Sequence, residues 1–424
     1  MSLSIGIDMG TSACRVAVLD GQETLLSLAS APLAEPTGDA PYCEQSPDDW
    51  WQACQTALKQ ALAELDPQQV GRIAVDGTSA TLLLCDAAGQ VDGPALMYRD
   101  QRAQRQADDI ARAAPASAAV HSPSSSLAKL LWFKDQDRLT NGLKTLHQAD
   151  WITGKLRGEY TYSDENNVLK LGYDSINRRW PDWLSKTGLS TDWLPDVVPA
   201  GTVLGSIQPD IAAQFGINAD CQVVSGTTDS TATFIASGAR QPGDALTVLG
   251  STLVIKILAD KPVFAPEFGV YSHRLGDKWL VGGASNTGGA VLRQFFNDQQ
   301  LKQLSAQIDP AQPAQHNYMP LPAPGERFPV NNPNLQPCMT PRPENDADFL
   351  HGLLTAMSNI EQQGYTTLAE LGASMPQTIR TSGGGAKNQT WQAIRQQMLN
   401  IPFLTAEHKE AAVGTALLAS RAVV

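Results

Sequence analysis

Residues 4–20 read SIGIDMGTSACRVAVLD, two apolar, β-branched runs around Asp8-Met9-Gly10-Thr11-Ser12, a turn too short and too polar for a helix. The pattern predicts a buried β-hairpin whose tip carries a carboxylate, a glycine and two hydroxyls. A second beginning of this kind follows at 221–238, CQVVSGTTDSTATFIASG. There a β-branched strand over 222–225 runs into Gly226-Thr227-Thr228-Asp229 and then into small residues with helical potential. ALTVLGSTLVIKIL (245–258) continues as two strands joined at Gly250 and Ser251, and KWLVGGASNTGG (278–289) as a strand ending in glycines. A chain that restarts its strand, tip and strand logic is constrained to fold as two α/β domains, and 424 residues are long for one core. The expected domains are 1–221 and 222–424.

Other segments fill in this frame. Thr24 to Ala31 supplies a third strand, and SPDDWWQACQTALKQALAEL (46–65) an amphipathic helix. In that helix Ser46 is the expected N-cap, Pro47 takes the first helical position, and Trp50, Cys54, Ala57, Leu58, Ala61, Leu62 and Leu65 keep a 3.6-residue period. RIAVDGTSATLLLCD (72–86) gives two strands with a polar tip from Asp76 to Ser79. Residues 100–220 mix helical stretches at 127–134 and 149–156 with loops rich in Pro, Asn and Trp, an insertion shaped for a ligand. TIRTSGGGAKNQTWQAIRQQMLNIPF (378–403) reads as strand, glycine turn, helix and strand, and KEAAVGTALLAS (409–420) as a small-residue helix. The proline-rich stretch 310–343 is expected to be an ordered surface loop.

Composition removes several function classes. The net charge is −12 and no stretch concentrates Lys and Arg, so a nucleic-acid backbone or an anionic membrane gains little from this chain. The six cysteines lie apart from one another and from histidine, without metal-ligand spacing, and are expected to be reduced thiols in a cytoplasm. The N-terminus lacks a basic n-region, no apolar run approaches the roughly 20 residues of a membrane helix, and neither a signal peptide nor a span is expected. His121, His147, His273, His351 and His408 lack ligand spacing and are expected at the surface or in packing.

The tips suit phosphate chemistry. No GxxxxGK[ST] occurs, so a P-loop is excluded and the hairpins must cradle any phosphate. In Gly10-Thr11-Ser12 the glycine permits close backbone approach, while N–H groups and the Thr11 hydroxyl can bond phosphate oxygens. Asp8 is a hard oxygen ligand suited to Mg²⁺, through water because that ion dehydrates reluctantly. An ordinary polar turn is the plainer reading of the first tip alone. Asp229 follows a buried strand, with Ser230, Ala232 and Thr233 leaving room beside it, although a helix N-cap needs the same residue type.

Together, GIDMGTSACR, VSGTTDSTA, VLGSTL and RTSGGGAKNQTWQAIRQQMLNIPF resemble the FGGY carbohydrate kinases, in the expected order over nearly the whole chain. The resemblance implies an α/β fold of two actin-like domains, of the sugar kinase/heat-shock/actin, RNase H-like type, flanking a cleft. DGTSATLLLCD and NNVLKLGYD look closest to the short D-ribulose kinase branch of cyanobacteria and plants. The xylulokinase-like GQMHG is absent, and DGTSA stands in its place. By the resemblance Asp229 is the general base that takes the proton of the sugar hydroxyl. ATP is expected against Gly250, Ser251, Gly288 and Gly289, with Gly384 and Gly385 near adenosine. Asn388 is expected to reach the base or ribose, and Trp391 either to wall the adenine or to pack in the core. The sugar is expected against Asp8, Ser12, Ser79 and Asp229, with Asp76 and Asp100 either joining it or bracing loops. Arg15 fits the first motif or pairs with a carboxylate.

The expected reaction is phosphorylation of a ketopentose by ATP and Mg²⁺, D-ribulose first, D-xylulose or another polyol next. An ATP-driven chaperone or filament protein of the superfamily needs a peptide-binding domain or polymer contacts for which the chain has no room. A catalytically idle sugar sensor sits poorly with an intact Asp8, Thr11 and Asp229.

Overall fold

A computed structural model describes residues 2–140 and 142–422. The chain forms two compact units, one closing at Ala236 and resuming from Glu410, the other spanning Ser237–Lys409. The first is built on a sheet of β1 (Leu3–Met9), β2 (Ala13–Leu19), β3 (Leu25–Pro32), β4 (Val70–Gly77), β5 (Val203–Ser206) and β6 (Gln222–Thr228), in the order β5-β6-β4-β1-β2-β3. The predicted hairpin is β1 and β2, paired antiparallel from Ser4↔Leu19 to Met9↔Cys14. β1, β4 and β6 run parallel to one another. Every residue of β1 is buried, as expected of a strand covered on both faces, whereas the edge strand β3 alternates half-buried with exposed.

The second unit repeats this plan. Its strands are β7 (Asp244–Leu249), β8 (Leu253–Ala259), β9 (Tyr271–Leu275), β10 (Lys278–Ser285), β11 (Thr378–Ser382) and β12 (Phe403–Leu404), ordered β9-β10-β8-β7-β11-β12. Here β7 is antiparallel to β8 and parallel to β11, as β1 is to β2 and β4. The restart therefore begins at β7, and the boundary expected at 221/222 falls inside the first sheet. β6 pairs with β4 from Gln222↔Arg72 onward, because a β-branched run completes the parallel half of one sheet as readily as it opens another.

Helix α1 (Pro47–Leu62) buries Trp50, Cys54, Ala57, Leu58, Ala61 and Leu62, the stripe its period predicts. Ser46 holds the N-cap position with extended backbone, but its hydroxyl makes no capping bond. The polar tip of 72–86 is also corrected. Asp76 lies within β4, and the strand at 82–85 joins a separate small sheet with 44–45, 95–96 and 144–147. The insertion contributes α2 (Ser126–Asp135) and α3 (Gln148–Arg157). In the proline-rich stretch Phe328 and Glu326 are buried, and the Glu326 carboxylate accepts from Ser285 Oγ at 2.6 Å and Asn286 N at 2.7 Å, so the surface loop also plugs the second core. All six cysteines are free thiols. Among the described residues no helix is long and apolar enough to cross a membrane.

The last helix, α7 (Ala411–Ser420), packs on β1 and on α4 (Asp229–Ala236) by backbone-to-backbone approach. A Cβ on Gly6 would stand 2.1 Å from the Ala412 carbonyl oxygen, and one on Gly414 1.8 Å from that of Ala232. Alanine favours a helix over glycine by about 1 kcal/mol, yet overpacking against rigid backbone costs about 1–3 kcal/mol. Gly414→Ala is therefore expected to lower stability, read as an earlier denaturant midpoint. A midpoint at or above that of the parent would mean that the helix has room to shift.

Candidate active site

Three parallel neighbours of the first sheet, β6, β4 and β1, end together, and each end carries a carboxylate. Asp8 lies on β1, Asp76 opposite it on β4, and Asp229 directly after β6 at the head of α4. The carboxyl ends of parallel strands are where open α/β sheets hold ligands. Asp8 and Asp76 are buried, Asp229 partly so. Burial, then the Asp229 charge, push the Asp8 carboxyl up to about 6 against the pull of Arg15. Asp76 is pushed well above the carboxylate range, first by burial and then by Asp8, with a hydrogen bond from Thr415 opposing.

Arg15, the register partner of Asp8 on β2, places Nη1 3.4 Å from its carboxylate and Nε 3.7 Å from that of Glu410. Thr415 of α7 donates its hydroxyl to Asp76 Oδ2, and the Asp76 and Asp8 carboxyls are themselves hydrogen-bonded to each other. Asp229 Oδ1 accepts from Ser230 N at 2.6 Å, and Thr233 Oγ1 donates to the Asp229 carbonyl at 2.9 Å. The small residues expected to leave room thus also fix the helix start.

This arrangement gathers more negative charge than Arg15 offsets. Among the described residues no three His, Cys, Asp or Glu side chains converge as direct ligands of one ion. The adjacent carboxyls of Asp8 and Asp76, both pushed up by burial and then by a neighbouring carboxylate, fit a hydrated Mg²⁺ instead, an ion that keeps several of its waters. Asp8 and Asp76 would hold it, and it would supply charge neutralisation for phosphate oxygens.

The other expected residues of this unit flank these strand ends. Thr11 and Ser12 form the tip after β1, Ser12 exposed and Thr11 half-buried, its carbonyl accepting from Gln45 Nε2 at 3.0 Å. Ser79, half-buried, sits on the tip that continues from β4. Next to it Thr78 donates N–H and hydroxyl to Gln148 Oε1 at 3.0 and 2.8 Å. Asp100 is a loop brace, its carboxylate taken by Cys43 N and the Arg102 guanidinium, each at 2.7 Å.

In the second unit the glycine tips form one cradle. Gly289 N donates to the Gly250 carbonyl at 2.9 Å and Ala290 N to that of Ser251 at 3.0 Å. Gly288, at φ +142°, comes so close that a Cβ would lie 2.8 Å from the Ser251 carbonyl. Gly384 is exposed, with open space where a side chain would be, at the end of β11.

Three further residues have roles within the fold. A Cβ on Gly385 would meet the Trp391 ring at 2.7 Å, so this glycine serves packing. Trp391 itself is buried in the core and donates Nε1 to Ser358 Oγ at 3.2 Å, the packing alternative of the two. Asn388 caps α6 (Gln389–Leu399), accepting from Trp391 N at 3.0 Å, while its Nδ2 donates to Ser305 Oγ at 2.8 Å. Both ends of its amide are used within the fold. Sequence reasoning missed Thr415, whose one signal is a hydroxyl among the small apolar residues of the last helix.

Residues 3–236 match the FGGY family of carbohydrate kinases, N-terminal domain, and residues 245–423 its C-terminal domain. The xylulose kinase of Escherichia coli (strain K12) is 25% identical over 433 residues, covering 98% of this chain and 88% of that protein. The gluconokinase of Bacillus subtilis (strain 168) is 22% identical, covering 96% and 85%. Among solved structures, xylulose kinase from Rhodospirillum rubrum superposes with a TM-score of 0.87 at 21% identity, over 98% of this chain and 89% of that one, a likeness of fold.

Proposed function

Because the chain belongs to the FGGY family of carbohydrate kinases, we propose that it transfers the γ-phosphoryl group of ATP, with Mg²⁺, to a hydroxyl of a ketopentose. D-ribulose giving D-ribulose 5-phosphate leads, with D-xylulose or another polyol as the alternative. The observation that carries the reading is the set of carboxylates at three adjacent strand ends, two buried and one at a helix start. Asp229 accepts the hydroxyl proton, and Ser12 and Ser79 hydrogen-bond the sugar. Asp8 and Asp76 hold the hydrated cation, and the Thr11 hydroxyl and neighbouring N–H groups meet phosphate oxygens. In the second unit, the backbone at Gly250, Ser251, Gly288 and Gly289, with the open face at Gly384, takes the nucleotide. D-ribulose is favoured by DGTSA at 76–80, where a xylulokinase-like chain carries GQMHG.

The test is ADP release over a ketose and polyol panel, with and without EDTA. Turnover is expected to need a ketopentose, to stop on chelation, and to show a higher kcat/KM for D-ribulose than for D-xylulose. Hydrolysis indifferent to every sugar would sink the kinase reading. A preference for D-xylulose would replace only the acceptor.

A further inference from the structure

The tip that carries Ser79 is gripped from inside the protein by a single lysine. Lys129 of α2 is completely buried, and its Nζ donates to two main-chain carbonyls, those of Ala80 and Met97, each at 2.7 Å. Ala80 follows Ser79 directly and adopts φ +69°, a left-handed conformation that a residue with a Cβ keeps only when its surroundings impose it. Burial pushes the Lys129 amine down to about 7, opposed by Asp100, whose carboxylate is already engaged by Arg102 and Cys43 N. The amine thus works as a donor of hydrogen bonds to backbone.

The remaining ties converge on the same tip. Thr78 is held by Gln148, and the Thr81 hydroxyl, 2.6 Å from that of Thr78, accepts from Tyr98 N at 3.0 Å. Gln148 opens α3 directly after His147, whose ring lies 3.0 Å from both Ser126 Oγ of α2 and Asp150 Oδ2. Helix α2 therefore braces the 78–81 tip twice, once directly and once through α3. The segment 97–100 is locked to the tip by Lys129 and by Thr81.

From this geometry we propose that Lys129 is a positioning residue for sugar recognition, which sets Ser79 by holding the Ala80 carbonyl and joining the 97–100 segment to the tip. The proposal rests on the assignment of Ser79 to the sugar. Lys129→Met keeps the length of the side chain and removes both donors.

The test measures KM for D-ribulose, D-xylulose and ATP, kcat, and thermal stability for Lys129→Met, Ser79→Ala and the double variant. Lys129→Met is expected to raise the ketose KM about tenfold or more, as two buried carbonyls lose their donor, with the ATP KM within about twofold. Ser79→Ala is expected to raise the ketose KM as well, and the double variant to fall short of the product of the two, because both changes act through one contact. A folded Lys129→Met with an unchanged ketose KM overturns the proposal. So does a fall in kcat with a parallel rise of both KM values that tracks lost thermal stability. A Ser79→Ala variant with unchanged ketose KM instead overturns the placing of the sugar at this tip. If Lys129→Met does not fold, Lys129→Gln, which keeps an N–H donor but has shorter reach, carries the same expectation and the same overturning result.

Discussion

Asp229→Asn is expected to lower kcat by about 10²- to 10⁴-fold, the range of general-base catalysis. The substitution keeps volume and can still meet a hydroxyl, so ketose affinity changes much less than turnover. The carboxylate stands at the head of α4, and losing its charge also eases the upward push on the Asp8 carboxyl, so Asp8 keeps its negative charge for the cation. Asp8→Asn behaves differently. It removes one charge from the cation's surroundings, so the Mg²⁺ concentration for half-maximal rate rises together with the loss of rate. Steady-state kinetics over a Mg²⁺ series separate the two variants. Near-parental turnover by Asp229→Asn with sugar still bound would move the base to Asp8 or Asp76.

Removing either partner of the ion pair inside the second unit is expected to destabilise that unit by about 3–5 kcal/mol, the cost of a buried charge left without its counterion. Arg395 of α6 and Glu361 of α5 (Asp346–Glu370) are fully buried and meet through two bonds, at 2.6 and 2.7 Å. Thr247 of β7 donates to Glu361 at 2.5 Å, and Arg395 donates to Thr381 of β11 at 2.9 Å. The pair thus ties the two strands that lead to Gly250 and Gly384. Glu361→Gln and Arg395→Met should each shift the denaturant midpoint strongly, while the double variant Glu361→Leu/Arg395→Met loses much less, since no orphan charge remains. Additive losses in the double variant would mean that packing, and not the charge pairing, accounts for the effect.

Local features were the legible ones. The β1–β2 hairpin and α1 follow from side-chain period and turn chemistry, both decided within a few residues. Asp8 and Asp229 stood out because each carboxylate comes at the end of a β-branched run, Asp8 still on β1 and Asp229 directly after β6. The pairing of Asp8 with Asp76 is set by parallel register across the sheet, and from the sequence Asp76 reads equally well as a loop brace. Thr415 reaches Asp76 from 339 residues away. Trp391 and Asn388 sit where a glycine turn suggests a nucleotide, but the packing of α6 claims both side chains. Lys129 lies in a helix legible from the sequence, and only the fold shows its amine turned inward onto two carbonyls.

The return of α7 to the first unit has a consequence for vectorial synthesis. Ser237–Lys409 is continuous in the chain, so the second unit can complete its core while the ribosome is still working. The first unit cannot. Its central strand β1 is made before the second unit, yet the helix that covers it, and the hydroxyl that bonds Asp76, are made only after that unit. The half of the enzyme that emerges first is finished last, and until then the backbone face at Gly6 lacks the helix that fits it.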